Sequence, residues 1–239
     1  MSHNASHILV HLLHCPVCAL GPGRRVGLWL QGCSIHCEGC MSPDTWAFDG
    51  GNALDVDVLL SELSGFFDGT PPLDGLTISG GEPFDQPEAL LRLLRGIGEL
   101  GIQDILVFSG YRAETLLARY PEIPVLITAL VDGPFEAGNE TESGWKGSAN
   151  QTMRLFRPEF EERYSRWAET QKGGLQMATN PRGIFIAGIP RQKDVAQILE
   201  KVASTILSGG EIPGRRRQRG FRGAAEPQGA NELCPLEPE

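Results

Sequence analysis

Three cysteines, Cys33, Cys37 and Cys40, stand in the pattern C-x3-C-x2-C, directly after an apolar run, Val26 to Leu30, that reads as a buried strand. Iron–sulfur clusters are held by cysteine thiolates, and a four-iron cubane normally takes four of them. Three thiolates on one tight loop leave one iron without a protein ligand. An open coordination position marks a metal centre that does chemistry rather than bracing a fold. The spacing departs from the ferredoxin run C-x2-C-x2-C-x3-C, which argues against a plain electron carrier.

A second metal reading uses the same residues. Cys15 and Cys18 with Cys37 and Cys40 give C-x2-C-x18-C-x2-C, within the range of a structural zinc site, and His11 and His14 lie close enough in sequence to add ligands. That reading leaves Cys33 unused and puts the apolar strand inside the metal loop. Four of the five histidines, at 3, 7, 11 and 14, fall near the start of the chain, where a polar, partly mobile segment is the simpler expectation. His36, inside the cysteine loop, faces solvent or hydrogen-bonds to cluster sulfur. Trp29 and Trp46 bracket the loop as packing residues.

The elements that must position this loop alternate between strand and helix. Residues 7–14 form a strand, 53–67 a helix with one apolar face, 76–79 a strand, and 87–100 a helix opened by Pro87 and Glu88. A strand at 104–109, a short helix at 113–120, strands at 124–131 and 152–156 and a helix at 158–171 follow. The rhythm argues a parallel α/β sheet or partial barrel, in which ligands collect at the carboxyl ends of the strands. Those ends carry the cysteine loop, Ser79-Gly80-Gly81-Glu82, Ser109-Gly110-Tyr111 and Asp132-Gly133-Pro134-Phe135, so all four unusual turns are predicted to share one rim. Residues 136–151 read as a polar surface loop or lid, with Lys146, Ser148 and Asn150 as further candidate contacts. Leu175–Thr179 and Ile184–Ile189 flank Asn180-Pro181-Arg182-Gly183 and predict a hairpin. An amphipathic helix is expected over 192–207. From 209 the sequence has the composition of a disordered tail, holding Arg215, Arg216, Arg217, Arg219 and Arg222 and the free thiol of Cys234.

The 239 residues suffice for one large domain with appendages, and a net charge of −9 gives the whole chain no general attraction to nucleic acid or anionic membrane. No apolar stretch reaches membrane-spanning length, and the start lacks the basic and apolar segments of a secretory signal. Six cysteines, three of them clustered, then favour a reducing cytoplasm and metal ligation over disulfides.

With the cysteine loop and Gly80-Gly81-Glu82-Pro83 both in hand, the chain resembles the radical S-adenosylmethionine (SAM) enzymes, and most of all the small activating enzymes of glycyl-radical proteins. The matching stretches are Trp29–Trp46, Thr77–Gln86, Ser109-Gly110-Tyr111, Val131–Phe135 and Gly147–Gln151, in the family's order. The resemblance implies a partial (βα) barrel of radical SAM type over 25–156, an N-terminal segment 1–24, a hairpin-plus-helix extension over 157–208 and a tail from 209 to 239. It implies that Cys33, Cys37 and Cys40 ligate three irons of a [4Fe–4S] cluster and that SAM chelates the fourth. One electron then splits SAM into methionine and a 5′-deoxyadenosyl radical, with no catalytic side chain needed beyond the cluster. Gly80 and Gly81 would let backbone approach the SAM ammonium, Glu82 would accept from it, and Ser109 and Asp132 are weaker cofactor-binding candidates. A plain strand-end turn for the glycines, and an Asp-Gly turn for Asp132, are the alternatives. The implied partners are a protein substrate of the glycyl-radical class and a low-potential donor such as a flavodoxin or ferredoxin. Modification of a peptide or small molecule, or a non-catalytic zinc or iron–sulfur interaction module, are the competing functions. The CPVC pair, the extension and the Arg-rich tail lie outside the minimal activating enzyme, and no glycyl-radical motif occurs in this chain.

Overall fold

The computed structural model describes residues 6–171, 175–180 and 183–190. The expected helix at 192–207, the tail with its arginines, and Cys234 lie outside the described residues. Among the described residues, seven strands form one sheet in the order β3-β1-β2-β4-β5-β6-β7. They are β1 (His7–Val17), β2 (Arg25–Leu30), β3 (Asn52–Asp55), β4 (Gly75–Gly80), β5 (Ile105–Ser109), β6 (Ala129–Asp132) and β7 (Thr152–Leu155). Strands β2, β4, β5 and β6 are mutually parallel, while β1, β3 and β7 run antiparallel to their neighbours. The architecture is therefore mixed α/β around a parallel centre. A separate hairpin, β8 (Leu175–Asn180) and β9 (Gly183–Gly188), appears where Asn180 to Gly183 predict one.

Period-two alternation sorts the central strands between two cores. Ile105, Val107 and Leu130 face the main core, which they share with α1 (Val56–Phe67), α2 (Pro87–Glu99), α3 (Ala113–Arg119) and α4 (Ile123–Leu126). Leu106, Ala129 and Val131 face the other way and meet Tyr164 and Trp167 of α5 (Glu161–Thr170). Trp29 also points to that second face and packs with Val17, Leu20 and Ala187 of the hairpin. Trp29 is thus the packing residue expected, but it packs on the second face of the sheet and does not bracket the cysteine loop.

Two element boundaries differ from expectation, each for a local reason. The helix expected over 53–67 begins only at Val56, because Asn52–Asp55 pairs with His7–Val10 of β1 and Asp55 then caps the helix by accepting from the Asp57 N–H at 2.8 Å. The strand expected over 124–131 is half helical turn. Pro124 fits the first turn of α4, and Thr128, donating to the Gln103 carbonyl and accepting from the Ile105 N–H, delays the strand to Ala129. The strand expected over 7–14 is present and runs on to Val17, as an ordered inner strand rather than a partly mobile segment around His7, His11 and His14, and burial lowers the pKa of His14.

Candidate metal centre

Because β2, β4, β5 and β6 run in one direction, the four turns that follow them meet on one rim, as the alternating pattern predicts. The cysteine loop is the centre of that rim. Its base is closed by Gly32 and Cys33 N–H groups donating to the Thr45 and Trp46 carbonyls at 2.7 and 3.0 Å. Gln31, fully buried, donates from Nε2 to the Asp44 and Ala47 carbonyls and holds His11 Nδ1 on its Oε1 at 2.9 Å. Gln86 reaches across from the next turn to the Gln31 carbonyl at 2.9 Å and exchanges bonds with Leu9. Both glutamines lie inside the matching stretches, but sequence reasoning gave neither a role.

Cys33 is buried, whereas Cys37 and Cys40 are partly exposed, and all three are free thiols. Burial pushes the Cys33 thiol up, while N–H groups of His36 and Ile35 aimed at its sulfur pull it down. Burial likewise raises Cys37, against an N–H from Phe135. The Ser42 N–H donates to Cys40 Sγ at 3.4 Å. Thiols supplied with backbone donors at their sulfurs are a donor set suited to iron–sulfur ligation, where such bonds tune the centre. His36 takes a left-handed backbone, φ 50°, and lies on Trp46 with ring centroids 4.7 Å apart, at the solvent-facing surface of the loop.

The zinc reading fails on strand register. β1 is antiparallel to β2, with Val10 opposite Leu30 and Val17 opposite Arg25. Cys15 and Cys18 therefore sit by the start of β2, and Cys37 and Cys40 lie beyond its end. The six residues of β2 at about 3.3 Å each separate the two pairs by more than any single-ion site spans. Cys15 is packed against the main core, with its thiol pushed up to about 11 by burial.

Gly80 and Gly81 serve the cysteine loop itself. The Gly81 and Glu82 N–H groups donate to the Leu30 and Gly32 carbonyls at 2.8 Å, carrying the β2–β4 pairing past the strand ends. A Cβ on Gly80, whose φ is +105°, would stand 2.4 Å from the Leu30 nitrogen; one on Gly81 would stand 2.2 Å from the Gly32 carbonyl oxygen. The close backbone approach expected here is thus made to the base of the cysteine loop.

Glu82 is buried, and its Oε1 accepts from Ser109 Oγ at 2.8 Å and from the Phe84 N–H at 3.0 Å, while Oε2 accepts from the Gly110 N–H at 2.8 Å. Burial, partly offset by these bonds, brings its pKa up to about 7. Glu82 and Ser109 are therefore brought together and tie two turns of the rim. Asp132 is buried one strand further on; its Oδ2 caps Ala113 N–H at 3.0 Å and its Oδ1 accepts from Thr152 Oγ1 at 2.5 Å. Its oxygens are engaged by α3 and β7. Asp85, which sequence reasoning did not single out, and Tyr111, expected only as part of a rim turn, meet at Ser34: Tyr111 O–H donates to Asp85 Oδ1 at 2.7 Å, and the Ser34 N–H donates to Oδ2 at 2.6 Å.

The 133–151 loop is internally bonded. Ser148 is buried and accepts from the Glu136 N–H, Asn150 and Gln151 donate to the Pro134 and Gly133 carbonyls, and Lys146 donates to the Ala149 and Gln151 carbonyls. Lys146, Ser148 and Asn150, the candidate contacts of this loop, thus also hold its shape.

Residues 19–154 match the 4Fe–4S single cluster domain family. The chain belongs to that family. Among its relatives is the anaerobic ribonucleoside-triphosphate reductase-activating protein of Salmonella typhi, 31% identical over 57% of this chain and 92% of the relative. The protein of that name from Escherichia coli K12 is 32% identical over the same shares. The pyruvate formate-lyase-activating enzyme of Clostridium pasteurianum is 40% identical over 38% of this chain and 39% of that enzyme. This 4Fe–4S protein is thus a radical SAM enzyme of the activating type. The family match takes in the cysteine loop and the other turns of the rim, and leaves α5 and the hairpin outside it.

Proposed function

We propose that this protein activates a glycyl-radical enzyme, an anaerobic ribonucleoside-triphosphate reductase being the relevant class, by abstracting hydrogen from its polypeptide. The observation that carries the reading is the convergence of the turns after four parallel strands on one loop bearing Cys33, Cys37 and Cys40. Those three cysteines would hold three irons of a [4Fe–4S] cluster. A cluster so held would supply the single electron needed for reductive cleavage of SAM to methionine and a 5′-deoxyadenosyl radical.

The chain's own part is to hold the thiolates and keep water from the reacting carbon. The Gly32–Thr45 and Cys33–Trp46 bonds fix the loop's base, and Gly80 and Gly81 fix its distance from the neighbouring turn. Glu82, fastened to Ser109 and Gly110, keeps the second and third turns in register beside the place where SAM would dock. Asp132 contributes by anchoring the start of α3. The parallel strands would form the wall of a partial barrel over 25–156, with 157–208 as a C-terminal extension beyond the family match. A flavodoxin or ferredoxin class donor in the cytoplasm would complete the system. No helix among the described residues is long and apolar enough to cross a membrane.

Anaerobic reconstitution followed by reduction and addition of SAM tests the proposal. About four irons per chain and release of 5′-deoxyadenosine are expected, and Cys33→Ala should lose both. Zinc bound in place of iron, undisturbed by Cys33→Ala, would overturn it.

A further inference from the structure

The cysteine loop is braced by a carboxylate that the reaction described above does not use. Asp85 ends the single 3-10 turn Pro83–Asp85, and its neighbours leave it little freedom: Phe84 is buried against Tyr120, and Gln86 is bonded to Leu9 and Gln31. From this turn Asp85 reaches the residue that follows Cys33. Its Oδ2 accepts from the Ser34 N–H at 2.6 Å, and its Oδ1 accepts from Ser34 Oγ at 3.1 Å and from Tyr111 O–H at 2.7 Å. Ser34 Oγ and Tyr111 Oη are themselves 3.0 Å apart.

All of these donors are neutral. Among the described residues no ion pair is formed by Asp85, whereas the half-buried or buried carboxylates of Asp104, Glu122 and Asp132 each have an arginine partner. The negative charge is dispersed but not cancelled. The arrangement also divides the amides of the loop. The N–H groups of Ile35 and His36 turn to the Cys33 sulfur, while that of Ser34 is taken by Asp85.

Both features act in one direction on a cluster held by Cys33. Reduction adds negative charge, which an uncancelled carboxylate opposes, and an amide withheld from sulfur removes a bond that would stabilise the reduced form. We infer that Asp85 is a positioning and tuning residue that lowers the reduction potential of the cluster, with Tyr111 limiting the effect by hydrogen-bonding to the carboxylate. The inference rests on the cluster assignment under Proposed function. It goes further in naming what makes the centre reducing enough to break a sulfonium bond.

The test is potentiometric titration of reconstituted protein under anaerobic conditions, followed by the electron paramagnetic resonance signal of the reduced cluster. Asp85→Asn keeps the size of the side chain and removes the charge, so its midpoint should move to less negative potential, with 5′-deoxyadenosine formation slowed under the same reductant. Tyr111→Phe removes a donor and leaves the charge more exposed, so its midpoint should move the opposite way. A purely structural brace would lower cluster occupancy in both variants and leave both midpoints where the native protein has them; that result overturns the inference. If Asp85→Asn takes up no iron, the Tyr111→Phe midpoint decides alone, and an unmoved or less negative value refutes it. Failure of the native protein to take up a cluster would instead remove the assignment on which the inference stands.

Discussion

The two ends of the parallel strands treat buried charge in opposite ways. At the start of β2, Arg25 is fully buried and every donor group of its guanidinium is used: Nε on Thr77 Oγ1, Nη1 on the Pro22 carbonyl and Asp104 Oδ2, and Nη2 on the Leu76 and Asp104 carbonyls and Asp104 Oδ1. Tyr164 donates to the same carboxylate at 2.6 Å, and burial drives its own pKa upward. At the other end Glu82 is as deeply buried but is held only by neutral donors, and its pKa rises accordingly. One end matches charge with charge and locks α5 to the sheet. The other keeps uncancelled carboxylates, thiols and backbone amides around a loop. The first arrangement serves stability, and the second leaves its groups sensitive to what binds beside them.

Removing one partner of the locked end should give the largest loss of stability. Arg25→Met leaves buried Asp104 with only the more distant Arg163, 3.9 Å away, as a cation, and denaturant unfolding should show a loss of about 3–5 kcal/mol. Iron taken up per folded molecule should be unchanged, because the loop at the opposite end keeps its contacts.

The open end should reveal itself through pH. The pKa of Glu82 is raised from the ordinary 4.5 to about 7 in the folded protein, so across that window the folded state keeps a proton that the unfolded chain has released. Stability contributed at this site is therefore fully present below about pH 4.5, falls as pH rises to about 7, and is level above it. The fall is at most about 3 kcal/mol, and Glu82→Gln should flatten that part of the stability profile of the iron-free protein.

Gly81→Ala tests whether the rim depends on close backbone contact. The added methyl would meet the Gly32 carbonyl oxygen at 2.2 Å, and overpacking of this kind costs about 1–3 kcal/mol. Thermal unfolding should show that loss, and iron content should fall with it, since the displaced atoms carry the base of the cysteine loop. The smallest effect belongs to His36→Ala, which removes the stacking on Trp46 at the surface. A cost of about 0.5 kcal/mol is expected, with iron content kept.

Much of the site was legible before any fold was known. The C-x3-C-x2-C spacing and the Gly80-Gly81-Glu82-Pro83 turn are local signals, and strand–helix alternation is enough to put the turns after parallel strands on one edge. The hairpin at 175–188 was readable from its turn residues for the same reason. What spacing could not decide was which cysteines share a neighbourhood. Cys15 and Cys18 fit a zinc pattern by count alone, and only the antiparallel register of β1 against β2 sends them to the far end of the strand.

The local sequence of this protein determined its elements and its metal-binding chemistry, because residue type, turn propensity and period act over a few residues. The tertiary structure decided where each polar side chain spends its bonds. It turned Glu82 toward Ser109, Asp132 toward α3 and Asp85 toward Ser34, and it recruited Gln31 and Gln86 to hold the loop. A buried polar atom must find a partner wherever the chain brings one, and residues 20 to 60 positions apart supply most of those partners here.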